Sequence, residues 1–310
     1  MTWILIALLG HLSNGVAFLI DKILLKNAFK RSATYAGLVG LLSGLVIFLI
    51  PWITVWPTGV DLLWGILSGL TFMAALWAFF TALSEGEATR VVPIISASIP
   101  IITLLGAATL LGERLDINEM IGFGLLILAT ILLAGGKSQN KLTRSALFFS
   151  LLSALLFAIA SVSGKAVYDG SSFLGGFVTT RIAALFMAII LAWLIDPLSG
   201  EEIISIFKPA RNKKAKKGET ITVRMAAKLA IFGQIMGGLG FIAVQYATSL
   251  GSASIVNALQ VIQFALLVVA AFILKSKAQT LLGESINKSV VLIKGIALVI
   301  MAIGLYLIVL

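Results

Sequence analysis

The chain contains no cysteine, one histidine, six prolines and few charges. Without cysteine there is no disulfide and no thiol nucleophile, and the redox compartment leaves no trace. One histidine cannot build a zinc centre, which draws three or four nitrogen, sulfur or oxygen ligands. No Ser/His/Asp set and no complete Gly-x-x-x-x-Gly-Lys-Ser/Thr loop is present, so neither a hydrolase nor an ATP-driven motor is read. These absences imply no metal and no cofactor. Charged residues make up only 12%, where a soluble domain carries about a quarter.

Apolar residues fill the space left by charge. They make up 60% of the chain, and the mean hydropathy is +1.10. The core of a 310-residue soluble protein cannot hide that much apolar surface, because its outside must be polar. The bilayer is the natural solvent. A net charge of +10 would suggest nucleic acid in a soluble protein. Here basic motifs interleaved with aromatics are absent, so no nucleic-acid partner is expected. The charges sit between apolar runs and serve to orient the chain.

A crossing takes about 20 apolar residues. Ten candidates follow: roughly 3–25, 33–50, 60–83, 88–111, 117–135, 143–168, 172–195, 224–250, 252–274 and 290–309. The opening "MTWILIALLGHLSNGVAFLI" lacks a basic n-region and reads as the first span rather than a leader. The long loop at about 196–223 holds the basic run 208–217 and an interfacial stretch at "GEEIISIF". It carries no evident chemistry.

The second half repeats the first. Leu111-Gly112-Glu113 returns as Leu282-Gly283-Glu284, and Gly124 as Gly295, both 171 residues on. Ala82, Ser84, Gly86 and Ala88 return as Ala247, Ser249, Gly251 and Ala253, 165 residues on. Duplication in so apolar a chain means two copies of a helix bundle. The fold expected is all-α and integral to the membrane: ten transmembrane helices in two five-helix repeats, 1–138 and 139–310. Five helices per copy invert the second half against the first. All but Arg114, Lys165 and Arg181 of the 23 lysines and arginines fall on the side of the odd-numbered loops. Positive-inside logic then places both termini outside the cell membrane.

Leu111-Gly112-Glu113-Arg114-Leu115, the glycine-bearing helix "MIGFGLLILATILL" after it, and Pro93 and Pro100 before it resemble the EamA-domain family of the drug/metabolite transporter superfamily. Lys22 and Lys165, closing the first helix of each half, and Arg181 in the seventh add to the likeness. The second copy lacks both prolines. The resemblance covers nearly the whole chain. It implies ten helices, a central substrate cavity and cytoplasmic termini. The last point conflicts with the charge distribution, which is the more direct observation.

His11, Asn14 and Phe18 share one face of the first helix. An ionisable residue within a span marks a functional site by default, and histidine titrates near neutrality. His11 is therefore either a proton-sensitive or substrate-bonding group, or a neutral side chain tied to a carbonyl or to Asn14. Ser150, Ser153, Phe157, Ser161 and Gly164 form the matching stripe in the sixth helix, read as tight packing. Asn257 and Gln260 share a face of the ninth helix, with Gln263 off it. Buried amides need partners, supplied by a polar cavity or by other helices. Pro93 and Pro100 kink the fourth helix and free carbonyls one turn back. Arg181 lies about 12 Å into its helix, either holding a carboxylate or phosphate in a bidentate bond or tying helix-end carbonyls. Lys22 and Lys165, near helix ends, either snorkel or serve as gates. Glu113 and Glu284 are read as caps of the helices that follow them.

No carboxylate falls clearly mid-span, which disfavours cationic cargo. The reading is a secondary transporter, working as an exporter of small polar metabolites such as amino acids, by alternating access between the two halves. Its partners are a small-molecule substrate, the lipid bilayer and, through His11, a proton as coupling ion; the oligomeric state is not legible. A drug or organic-cation exporter and a non-transporting scaffold or sensor are the alternatives. The topology has its own check. A C-terminal fusion to a reporter active only in the cytoplasm should be silent, and a bright fusion rejects the outside-termini reading.

Overall fold

The computed structural model describes residues 2–24, 32–134, 142–207, 223–274 and 288–310. Among these, every regular element is helical. That follows from the solvent: lipid offers no hydrogen bonds, so each segment must satisfy its own backbone. In chain order the α-helices are α1 (Thr2–Leu24), α2 (Ser32–Ser43), α3 (Gly59–Glu85), α4 (Ala88–Leu110), α5 (Ile117–Ala134), α6 (Arg144–Gly170) and α7 (Phe173–Ile189). Then come α8 (Pro197–Phe207), α9 (Val223–Leu250), α10 (Ala253–Ala258), α11 (Val261–Leu274) and α12 (Lys288–Val309). Nine stretches among the described residues are long and apolar enough to cross a bilayer, and Ala36–Trp52 is a shorter apolar one. The chain is a multi-pass membrane protein of about ten spans.

Four expected elements differ in form. The second span is α-helical only to Ser43 and continues as a 3-10 helix, Gly44–Trp52. A 3-10 helix rises about 2.0 Å per residue, so this tighter winding stretches a short segment toward a full crossing. Pro51 within it has no N–H to donate. The seventh span ends in a π-turn, Ile190–Ile195, closed by Asp196 N–H donating to Leu191 O at 3.0 Å. The expected loop at 196–223 begins instead as α8, with Ile203 buried on Gly37 and Glu202 accepting from Thr34 Oγ1 at 2.6 Å. The basic run 208–217 lies outside the described residues. The ninth span, expected as one helix over 252–274, is broken into α10 and α11.

The most extensive helix pairs are α3 with α6 and α1 with α9, each joining the first half of the sequence to the second. Helices in lipid gain little from hydrophobic exclusion, so they associate through close van der Waals contact at small residues. The buried side chains fit that rule, with Ala7, Ala75, Ala78, Ser153 and Thr180 among them. Large apolar side chains such as Leu5, Leu105, Leu194 and Leu292 point outward. Gly122 of α5 and Gly304 of α12 meet backbone to backbone: a Cβ on Gly122 would lie 2.7 Å from Gly304 O. Gly69 of α3 is set against α7, where a Cβ would lie 2.6 Å from Ala183 Cβ and collide with Thr180 O.

Glu113 caps a helix, though not the expected one. It accepts from Ser252 Oγ at 2.6 Å and from Ala253 N–H at 3.2 Å, so it sits at the start of α10 in the other half. The helix that follows Glu113, α5, is capped by Asp116 and Glu119, each accepting the other's N–H at 2.8 and 2.9 Å. Glu284 lies outside the described residues.

Overpacking a closed helix contact destabilises by about 1–3 kcal/mol. Gly69→Ala should therefore lower the thermal midpoint of the purified protein by several degrees. Gly124→Ala, where a Cβ meets nothing within 4 Å, should leave it unchanged. Equal midpoints for the two variants would refute the close α3–α7 packing.

Candidate functional site

A cavity of about 750 Å³ opens between the helices of the two halves. His11, Asn14 and Phe18 enter it from α1 on the shared face that their spacing sets. Phe72, Leu76, Phe79, Phe80 and Leu83 line it from α3, and Val92, Ile95, Ser96 and Ile99 from α4. It runs from the α3–α4 turn, near Leu83 and Val92, inward to Arg181 on α7 and Gln245 on α9. Among the described residues that line it, none is acidic and Arg181 is the one permanent cation.

The break between α10 and α11 faces this cavity and has neither proline nor glycine in it. Gln260 N–H bonds Asn257 O at 3.3 Å, and Ile262 N–H bonds Leu259 O at 3.2 Å. These are three-residue bonds, so the carbonyl of Val256 loses the donor four residues on. His11 replaces it: Nε2–H donates to Val256 O at 2.8 Å, while Gln263 Nε2 donates to His11 Nδ1 at 2.8 Å. With one ring nitrogen donating and the other accepting, His11 is held as the neutral tautomer. It is tied to a carbonyl and to Gln263, not to Asn14.

A second freed carbonyl lies across the cavity. Pro100 has no N–H for Ser96 O, and Gln260 Nε2 donates to that oxygen at 2.8 Å. Asn257 Nδ2 donates to Thr103 Oγ1 at 3.0 Å and Ser161 Oγ at 2.8 Å. Asn257 and Gln260 both line the cavity, as expected, but these donors are committed to other helices. Gln263 was placed off the face, and the structure brings it in. A 3-10 turn sets residues i and i+3 in line, so the tighter winding at 259–260 carries Gln263 round beside Gln260. Of the sixth-helix stripe, Ser153 donates to Ala75 O at 3.0 Å, while Phe157 and Ser161 line the cavity.

Arg181 is the exception in this network. It is 4% exposed, and its Nε and Nη2 have no hydrogen-bond partner. The expected alternative, a tie to helix-end carbonyls, is therefore not made by these atoms. The guanidinium carbon lies 4.5 Å from the ring centroids of both Phe72 and Phe241, and 6.0 Å from that of Phe177. Cation–π contact stabilises a desolvated guanidinium by about 2 kcal/mol, but the rings leave its hydrogen-bond edge unpaired.

Beyond Arg181 the cavity is closed. Phe157, Phe72, Phe241, Phe177 and Phe173 form a chain of ring contacts with centroids 5.4–6.2 Å apart, and Tyr168 and Tyr246 pack on Phe173. Gln245 Nε2 donates to Tyr168 Oη at 3.0 Å. Lys165 lies at this closed end outside the lining, with Nζ 2.8 Å from Asp169 Oδ1 and 3.3 Å from Ser249 O. The side chain of Lys22 lies outside the described residues. At the opposite end the closure is missing: α3 packs along α7, whereas α2 and α9, the pair at matching positions in the repeat, barely meet among the described residues. Phe72, Phe173, Phe177 and Phe241 went unread in the sequence because an apolar stripe facing a cavity looks like one facing lipid. Tyr168 and Gln245 carried the one polar signal for the closed end.

An unpaired buried carbonyl costs about 1–3 kcal/mol. Gln260→Leu should therefore destabilise by that order, and Pro100→Ala, by restoring an N–H one turn from Ser96 O, should rescue much of the loss. A double-mutant cycle on thermal midpoints measures this. Additive effects would mean that Gln260 is not there for the proline.

Residues 1–135 match the model of the EamA-like transporter family. No curated protein matches the chain. Among solved structures 28 chains match. One of them, described as "Crystal structure of protein", superposes with a TM-score of 0.63 at 16% identity, over 99% of this chain and 99% of its own. At that identity the likeness shows the fold alone. Over residues 1–135, then, this multi-pass membrane protein is similar to the EamA-like transporter family.

Proposed function

We propose that the protein is a secondary transporter that exports small, carboxylate-bearing metabolites across the cytoplasmic membrane. The observation that carries the reading is the cavity between the helices, holding a buried arginine with an unpaired edge. A packing role alone would leave that edge unsatisfied, which is costly. A substrate carboxylate satisfies it. The absence of acidic groups from the described lining argues against an exporter of organic cations.

Two inverted repeats, 1–138 and 139–310, rocking about this site supply the transport step in the proposal. The cavity reaches the α3–α4 turn, on the side that bears most of the lysines and arginines. Positive-inside logic makes that side cytoplasmic, with both termini outside, so the open end is the loading end of an exporter. His11, bonded through both ring nitrogens, supports the helix break in this reading, stays neutral and is not the site of a coupling proton.

Purified protein in liposomes should give saturable counterflow of one or more carboxylate-bearing metabolites. Arg181→Gln should cut the rate at least tenfold at unchanged abundance and fold. Flux that survives Arg181→Gln would remove the arginine from the site. No flux across carboxylate, sugar-phosphate, nucleoside and cationic-dye pools would favour a scaffold or sensor.

A further inference from the structure

The chemistry of the cavity restricts its ligand more narrowly than "polar metabolite". We infer that the cavity takes a monocarboxylate with an apolar, ring-sized body and no cationic group. The inference rests on the transporter reading only in assuming that this cavity is the substrate site.

The head group follows from Arg181. Its two unpartnered nitrogens, Nε and Nη2, share one edge of the guanidinium. That edge presents two parallel N–H bonds, the fork that matches a carboxylate. Phe72 and Phe241 pack beside the guanidinium, each with its centroid 4.5 Å from the central carbon and 5.4 Å from the other ring. The edge itself is buried in this state, so a neighbouring side chain must turn aside to admit the head group.

Charge balance sets the rest of the head. Among the described lining residues there is one permanent cation and no acidic side chain. A single carboxylate neutralises that cation. A second carboxylate, or a phosphate with nearly two charges at neutral pH, leaves excess negative charge in an apolar site. An ammonium group finds no carboxylate to pair with, so a zwitterion loses the hydration of its cationic end without replacement.

The body follows from the remaining lining. Toward the open end it is apolar, with Phe18, Phe79, Phe80 and Phe264 among its walls. Both N–H bonds of the Asn257 amide, and one each of Gln260 and Gln263, are spent on protein acceptors. Few donors are then left for hydroxyls, which weighs against sugars. A volume of about 750 Å³ accommodates a ring and a short chain with room to spare.

The test is a ligand series on the purified full-length protein in non-ionic detergent. Binding is read by thermal shift and titration calorimetry. The probes are 3-phenylpropanoate, L-phenylalanine, phenethylamine, succinate and acetate. 3-Phenylpropanoate should bind at least tenfold more tightly than each of the other four. Arg181→Gln should weaken it at least tenfold, and Phe241→Leu should weaken it while sparing the preference for the carboxylate. If L-phenylalanine binds as tightly or more tightly, the exclusion of a cationic group is wrong. If acetate or succinate matches 3-phenylpropanoate, the apolar-body assignment fails. Tighter binding of phenethylamine overturns the charge argument. The series on wild-type protein decides these points even if a variant does not fold. Counterflow of 3-phenylpropanoate in liposomes separates the two readings. Binding that depends on Arg181 without flux keeps this inference and rejects transport. Flux of another class without binding of 3-phenylpropanoate does the reverse.

Discussion

A carbonyl that leaves its helix inside a bilayer must find another donor, because lipid offers none. The centre of this protein is organised around two such carbonyls. Pro100 releases Ser96 O in the fourth span, and the tight turn at 259–260 releases Val256 O in the ninth. Gln260 serves the first and His11 the second. The donors come from across the cavity, so each repair also joins helices. Gln260 ties the break to α4, His11 and Gln263 tie it to α1, and Asn257 ties it to α4 and α6. Polar residues that look like a binding site in the sequence thus hold two irregular helices in place.

Close packing elsewhere leaves this arrangement room. The contacts at Gly69, Gly122 and Gly304 bring backbones together at the margins. The α3–α6 and α1–α9 pairs set the two sides of the cavity. Among the described residues α3 and α7 close against each other and α2 and α9 do not, so the cavity is sealed at one end by aromatic rings and unsealed at the other.

Much of this was legible in the sequence, and the misses have physical causes. Length and hydropathy reveal spans because the bilayer sets both. They do not reveal winding, so the 3-10 segment at Gly44–Trp52 and the π-turn at Ile190–Ile195 went unread. The break at 259–260 was hidden because proline and glycine are the usual signals and neither is there. Its cause is tertiary: donors on α1 and α11 make the broken form satisfiable. Glu113 was legible as a cap, but its helix lies 139 residues away in sequence. Arg181 stood out because a lone charge deep in a span has few structural explanations.

The partners found by the groups around it give Arg181 its meaning. Where Gln245, Asn257, Gln260, Gln263 and His11 have protein partners, an arginine edge left without one is set apart from the network. Two of the rings packed beside it belong to α3 and α9, and the same rings build the closed end. In the proposal a head group that reaches the buried edge displaces such a neighbour, and so loosens the closed end. Recognition and opening then share one set of side chains. Coupling of that kind is reciprocal: whatever favours the open arrangement of Phe72 and Phe241 also favours the bound arginine.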